Sequence, residues 1–404
     1  MGIENIGIEN MGTEINKIEN TEIQNVEINN TEINNAENKK NRKTKGLLTV
    51  IIIGVLFYGY AIMCYIKPAQ DISEAERRPL AQRPSLKVES VLSGEYGEKF
   101  EEYAVDQAPF RQQLRSSKVM YQSIVMRKLD NNDMYLSNGY ISKLDYSMNE
   151  KSVDYATGKF RYIYEEYLEG TDVAIYMSII PDKNYYNEKL FYPSYDYNEL
   201  VVKMCEGMEY AEYIDIMNQL ELESYYQTDT HFRQEKIVNM AVYMGERMNV
   251  ALDTEYDELK VSDDFKGVYY RQLGMPMKGE SMYCLTNSTL ESCKVYDHEN
   301  NKSISMYDLN ALNSADPYEM YLHGSLSLIT IENPLAATAK ELVIFRDSFG
   351  SSIAPLLATG YAKVTLIDIR YLPSSRVGQF VDFDKQDVLF LYSSSVLNNS
   401  ETLK

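Results

Sequence analysis

The chain has 404 residues, 44% of them hydrophobic and 25% charged, enough for a sizeable core and too apolar for wholesale disorder. Its net charge of −20 opposes a phosphate backbone, so no nucleic-acid partner is expected. Four cysteines without a CxxC pair or a Cys/His cluster exclude zinc modules and disulfide-stapled domains, and neither a metal nor a cofactor is expected.

Residues 1–46 begin with a repeat of period five, in which Glu4, Glu9, Glu14 and Glu19 are followed after a slip by Glu22, Glu27, Glu32 and Glu37. Five residues turn a helix by about 500°, which spreads the interleaved isoleucines over every face. The segment is therefore expected to be a disordered low-complexity tail, or else a docking segment for a cytoplasmic partner. It ends in Lys39, Lys40, Arg42, Lys43 and Lys45. Residues 47–66, LLTVIIIGVLFYGYAIMCYI, carry no charge, and such a run matches a hydrocarbon core about 30 Å thick. A cleaved signal peptide is the competing reading, but its apolar stretch is typically shorter. The basic cluster ahead of the run predicts a single-pass membrane helix with a cytoplasmic N-terminus and an extracytoplasmic C-terminal domain.

Residues 67–130 predict a helical lead-in interrupted at Pro109. Residues 131–404 read as an α/β domain. Apolar, β-rich runs at 172–180, 341–345, 363–369 and 387–393 alternate with helical patterns at 231–252 and after 350, which predicts a mostly parallel central sheet with flanking helices. Sites in such sheets lie at the carboxyl ends of the strands.

Two segments fall there. ELVIF runs into Arg346-Asp347-Ser348-Phe349-Gly350, so Ser348 sits at a strand-to-helix turn where backbone N–H groups converge. TDTHF at 228–232 carries Asp229 and His231, which share a side of an extended segment. A carboxylate holding an imidazole beside a serine is the arrangement that makes serine nucleophilic. Equally, Asp347-Ser348 would serve as an ordinary helix cap. For the oxyanion, the Ser348 amide is the first candidate and Asn398 or Asn399, after the last strand, the second. Arg370 follows a strand and is either an anion contact or half of a buried salt bridge. The tyrosines of the 185–197 segment are either a glycan platform or ordinary packing. Cys284 and Cys293 are spaced for a disulfide outside the cell.

These motifs, taken in order, resemble the DHHW proteins, relatives of the alginate O-acetyltransferases with an SGNH-hydrolase-like domain. ERRPL (76–80), Asp106-x-x-Pro109-x-Arg111, Pro181-Asp182-Lys183, TDTHF, RDSFG and IDIRYL (367–372) carry the resemblance across nearly all of 67–404. It implies an SGNH-like fold and a triad of Asp229, His231 and Ser348. It also implies acetyl transfer to an extracytoplasmic polysaccharide, beside a membrane acyltransferase that delivers the acetyl group, or ester hydrolysis by the same triad. A silent glycan-binding scaffold of such a complex is the reading from a different class. By position, Phe232, Asp347, Arg370 and Tyr371 are expected near substrate. Phe232 stands where the family has Trp, which removes an indole donor.

Overall fold

A computed structural model describes residues 4–73, 78–187 and 192–404, with helix Glu4–Ile66 at its start. Glu76, Arg77 and Phe191, which belong to segments singled out above, lie outside the described residues. The chain forms two compact units, Met1–Asp71 with Leu80–Arg111, and Ile72–Pro79 with Gln112–Lys404.

In the first unit the expected tail is helical and continuous with the apolar run. No proline interrupts residues 4–66, and a nucleated helix propagates until something stops it; here Pro68 follows its end. Asn38–Ile66 is long and apolar enough to cross a membrane, and none of its most apolar stretch is buried in protein. Helices Val88–Leu92 and Glu95–Asp106 complete the unit.

The second unit is built on an eight-stranded sheet. Its strands in chain order are β1 (Ala174–Ile180), β2 (Glu212–Tyr213), β3 (Lys294–Asp297), β4 (Lys302–Ile304), β5 (Leu328–Glu332), β6 (Glu341–Arg346), β7 (Lys363–Ile367) and β8 (Asp387–Ser393). Their spatial order is β4-β3-β5-β7-β6-β8-β1-β2. From β7 through β2 the neighbours are parallel, whereas β4, β3, β5 and β7 pair antiparallel. The expectation of a mostly parallel sheet is thus corrected to a mixed one. The reason lies in β3, β4 and β5: a tight connection returns β4 antiparallel to β3, and β5, reached through a long connection, pairs antiparallel with β3 and β7.

The parallel strands are buried on both faces, which is why they read as continuous apolar runs. On one face Ile344, Leu389 and Leu391 pack under helices Val238–Arg247 and Gly350–Ala358. On the other, Val343, Phe345, Val388 and Phe390 meet Val153, Ala156 and Phe160 of helix Glu150–Ile163. Phe345 and Phe390 stack at 4.8 Å across β6 and β8.

The helix expected over 231–252 is shorter, Val238–Arg247. Residues 231–233 are instead held extended against 224–226, with a bridge between Tyr225 and Phe232. The Tyr226 amide donates to the His231 carbonyl and the Arg233 amide to the Ser224 carbonyl. Cys284 and Cys293 are free thiols. They face different clusters: Cys284 packs with Tyr226, Phe265 and Met282, and Cys293 against the core beneath Val238–Arg247. Of the tyrosine-rich segment, Tyr195 and Tyr197 are buried and Tyr192 stacks on Tyr135 at 3.9 Å, so packing accounts for these three.

Candidate active site

Strand β6 ends at Arg346, and the chain turns through Asp347 and Ser348 into helix Gly350–Ala358. The turn is tight. A Cβ at Gly350 would lie 2.7 Å from the Arg346 Cβ, so only glycine lets the helix start directly over that arginine. Arg346 is fully buried and donates to the carbonyls of Asp347, Gly324 and Leu326 and to the Ser351 hydroxyl. Asp347 accepts from the Phe349 amide at 3.0 Å and from the Ser393 amide at 2.8 Å, which ties the end of β6 to the end of β8. Ser348 is left partly exposed between buried neighbours.

The 228–231 loop meets this turn. His231 Nε2 lies 2.8 Å from Ser348 Oγ, and His231 Nδ1 lies 2.6 Å from Asp229 Oδ1. The His231 amide also donates to that oxygen, and the Val268 amide donates to Oδ2 at 2.7 Å. An ionised carboxylate only accepts, so Nδ1 carries the proton and Nε2 presents its lone pair to the serine hydroxyl. Burial alone would raise the Asp229 carboxyl, but the adjacent imidazole and the two amides outweigh it and hold the group well below the usual carboxylate range. The imidazole ring stacks on Tyr318 at 3.9 Å, and the Tyr318 hydroxyl is anchored on Ser352. Asp229, His231 and Ser348 therefore form one hydrogen-bonded chain, suited chemically to activate a serine oxygen.

The other expected contacts fare differently. Phe232 is fully buried against Tyr225 and Phe349, and it packs the loop rather than reaching a substrate. Asp347 is likewise fully buried, its carboxylate spent on two amides. Arg370 pairs with buried Asp368, at 2.6 Å from Nη2, which is the salt-bridge alternative. Tyr371 is exposed, with the Arg370 guanidinium 5.6 Å from its ring centre. Asn398 is no oxyanion donor, because its side-chain amide donates to Asp145 and Ser147 while its oxygen accepts from the Asn149 amide. The Ser348 amide has no acceptor among the described residues. Also among them, no group of three His, Cys, Asp or Glu side chains is placed to hold a metal.

Three supports escape a reading of the sequence. Lys183, fully buried at the end of β1, donates to the carbonyls of Tyr226 and Asp229 at 2.9 and 2.7 Å. Burial pushes its ammonium down to about 7 against the opposing charges of Asp229, Glu280 and Asp182. The Glu280 carboxylate accepts from the amides of Gln227 and Thr228. Gly267 leaves room for the aspartate, since a Cβ there would lie 2.1 Å from Asp229 Oδ2. Lysine at 183 was visible as part of Pro181-Asp182-Lys183, but nothing local marks its partners 43 or 46 positions away.

No protein-family model and no curated protein sequence matches the chain. Solved structures similar to it include a DHHW family protein from Eubacterium siraeum, at 16% identity and a TM-score of 0.53, covering 68% of this chain and 95% of that one. They also include Bacillus cereus PatB1, at 14% identity and a TM-score of 0.49, covering 65% of this chain and 97% of that one. A third is the O-acetyltransferase domain of Pseudomonas putida AlgJ, at 11% identity and a TM-score of 0.40, covering 66% of this chain and 92% of that one. The chain shares its α/β fold with the DHHW family protein.

Two outcomes follow from this geometry. Gly267→Ala forces the Asp229 carboxylate aside and slows labelling of Ser348 by a fluorophosphonate about 100-fold with the circular dichroism unchanged, whereas Gly158→Ala, which meets nothing, labels at the wild-type rate. Lys183 binds its proton near 10.4 when unfolded and only below about 7 when folded, so stability rises with pH between 7 and 9, by at most about 1.4 kcal/mol per unit. Lys183→Met flattens that rise in urea titrations; equal slopes for both proteins would contradict the assignment.

Proposed function

We propose that the chain is a membrane-anchored, extracytoplasmic serine O-acetyltransferase that modifies a cell-surface polysaccharide through an acetyl-Ser348 intermediate. The observation that carries the proposal is the unbroken contact series from Asp229 through His231 to a partly exposed Ser348, at 2.6 and 2.8 Å. The polysaccharide acceptor rests on the resemblance of TDTHF and RDSFG to the DHHW pattern, and the fold shared with a DHHW family protein supports it.

In the first half-reaction Ser348 Oγ attacks the acetyl carbonyl of the donor while its proton passes to His231 Nε2. Asp229 balances the imidazolium that forms, and its two backbone donors keep it oriented for that task. The Ser348 amide faces the oxyanion. Collapse expels the donor's leaving group, which takes the proton from Nε2. In the second half-reaction a sugar hydroxyl gives its proton to Nε2 and attacks the acetyl carbon, and Ser348 Oγ leaves with that proton from Nε2. Water in place of the sugar makes the same site an esterase. The acetyl group is supplied by a membrane-bound O-acyltransferase on this reading, since an exported domain has no access to cytoplasmic thioesters.

The anchor is helix residues 47–66, with the cluster Lys39–Lys45 on the cytoplasmic side and Phe57, Tyr58, Tyr60 and Tyr65 in the outer half.

Ser348→Ala and His231→Ala abolish turnover of an activated acetyl ester, and Asp229→Asn lowers it about 10⁴-fold, because the imidazole then loses its required tautomer. With an oligosaccharide acceptor, wild type transfers acetyl faster than it hydrolyses the ester; hydrolysis alone would make it an esterase. Protease added to intact cells removes the C-terminal domain and spares the N-terminal tail, and the opposite pattern would reverse the orientation.

A further inference from the structure

The chain leaves the apolar helix through a knot of hydrogen bonds rather than a free linker. Gln107 lies at its centre. Its side-chain oxygen accepts from the Gln70 amide at 2.9 Å, and its nitrogen donates to the carbonyls of Gln70 and Ala81 at 2.8 and 3.1 Å. Lys67 donates to the Gln107 carbonyl at 3.3 Å, and the Tyr60 hydroxyl reaches the Pro109 carbonyl at 3.4 Å. Asp106 accepts from the Ala81 amide and pairs with Arg111 at 3.4 Å, so the motif Asp106-x-x-Pro109-x-Arg111 closes this turn and lies in the first unit.

The turn is thereby fixed in height. Tyr60 lies six residues before Ile66, the last residue of the helix, hence about 9 Å back along its axis. The uncharged run of 20 residues has none to spare for a hydrocarbon core that needs about 20. A carbonyl held beside Tyr60 therefore lies about 9 Å inside the outer end of the run, within the outer leaflet, while Tyr65 lies at its outer boundary. Residues 107–110, Gln-Ala-Pro-Phe, carry no charge, and the flanking Asp106 and Arg111 neutralise one another.

Phe110 is the revealing member. It occupies the left-handed region at φ 57°, costly for a bulky side chain, and 57% of it is exposed. Val105, in the last turn of helix Glu95–Asp106, is equally exposed. A backbone strained to hold an aromatic ring outward needs a compensating environment, and the environment at that height is lipid.

We infer that the turn around Gln107 is seated in the outer leaflet, with Phe110 and Val105 inserted at the boundary between headgroups and acyl chains. The inference rests on the reading that residues 47–66 cross the bilayer. The bilayer is favoured over a protein partner because the knot joins this turn to the span itself. Burying two such side chains contributes to anchoring through apolar area alone, so it needs no anionic lipid and is insensitive to salt.

The chain contains no tryptophan, so each Phe110→Trp or Val105→Trp variant carries a single reporter. The full chain is assembled in phosphatidylcholine nanodiscs with plain or brominated acyl chains, beside Ile53→Trp as a mid-span reference. The expected result is a blue-shifted emission for Trp at 110 that loses most of its intensity in brominated lipid, with the same behaviour at 105. Emission at both positions like that of an exposed indole, unaffected by bromine while Ile53→Trp is quenched, would mean that the last turns of the helix stand clear of the membrane, and would overturn the inference. An unquenched Ile53→Trp would overturn the membrane span first and the inference with it.

Discussion

The structure around the candidate site depends on one buried carboxylate. Asp229 is fully excluded from solvent yet ionised, a state that costs several kcal/mol unless its oxygens are paired. Two backbone amides and the imidazole of His231 supply that pairing. In doing so they fix the imidazole's tautomer, its ring plane and its distance from Ser348. Remaining features of the loop keep this arrangement in place: the Lys183 ammonium on the carbonyls, Glu280 on the amides, and the missing side chain at Gly267.

The serine side is organised by a different device. Asp347 stitches β6 to β8, and a buried guanidinium from Arg346 braces the same turn from below. Burial lowers the Arg346 charge's stability, and Asp368 opposes that, while Asp368 also holds Arg370. The polar groups beside Ser348 thus spend themselves on one another. This division explains why Asp347, next to Ser348 in the chain, and Arg370, just after β7, serve the scaffold. The same applies to Asn398, whose amide joins the last turn of the chain to the loop before helix Glu150–Ile163.

The four parallel strands around β6 were legible because strands buried on both faces read as apolar runs. The antiparallel half was not, since KVYD and KSI are short and half polar, and nothing local says with which strand they pair. Asp229, His231 and Ser348 were legible through their placement at strand ends and through short motifs. Lys183 was harder, because a lysine reads as surface until its burial is seen, and Gly267 was invisible because its partner Asp229 lies far away in the chain. Phe232 misled for a related reason. A residue next to His231 alternates to the opposite side of an extended segment, and that side is the core.

In the proposed reaction Ser348 Oγ is the atom that carries the acyl group. The most direct measurement is peptide mass spectrometry of the full-length protein quenched in acid during turnover of an activated acetyl ester. The account predicts one acetyl group on the peptide containing Ser348, accumulating without acceptor, discharged on adding oligosaccharide, and absent from His231→Ala. Acetyl transferred to the acceptor with Ser348 unmodified at every time point, or acetyl carried on another residue, would contradict it.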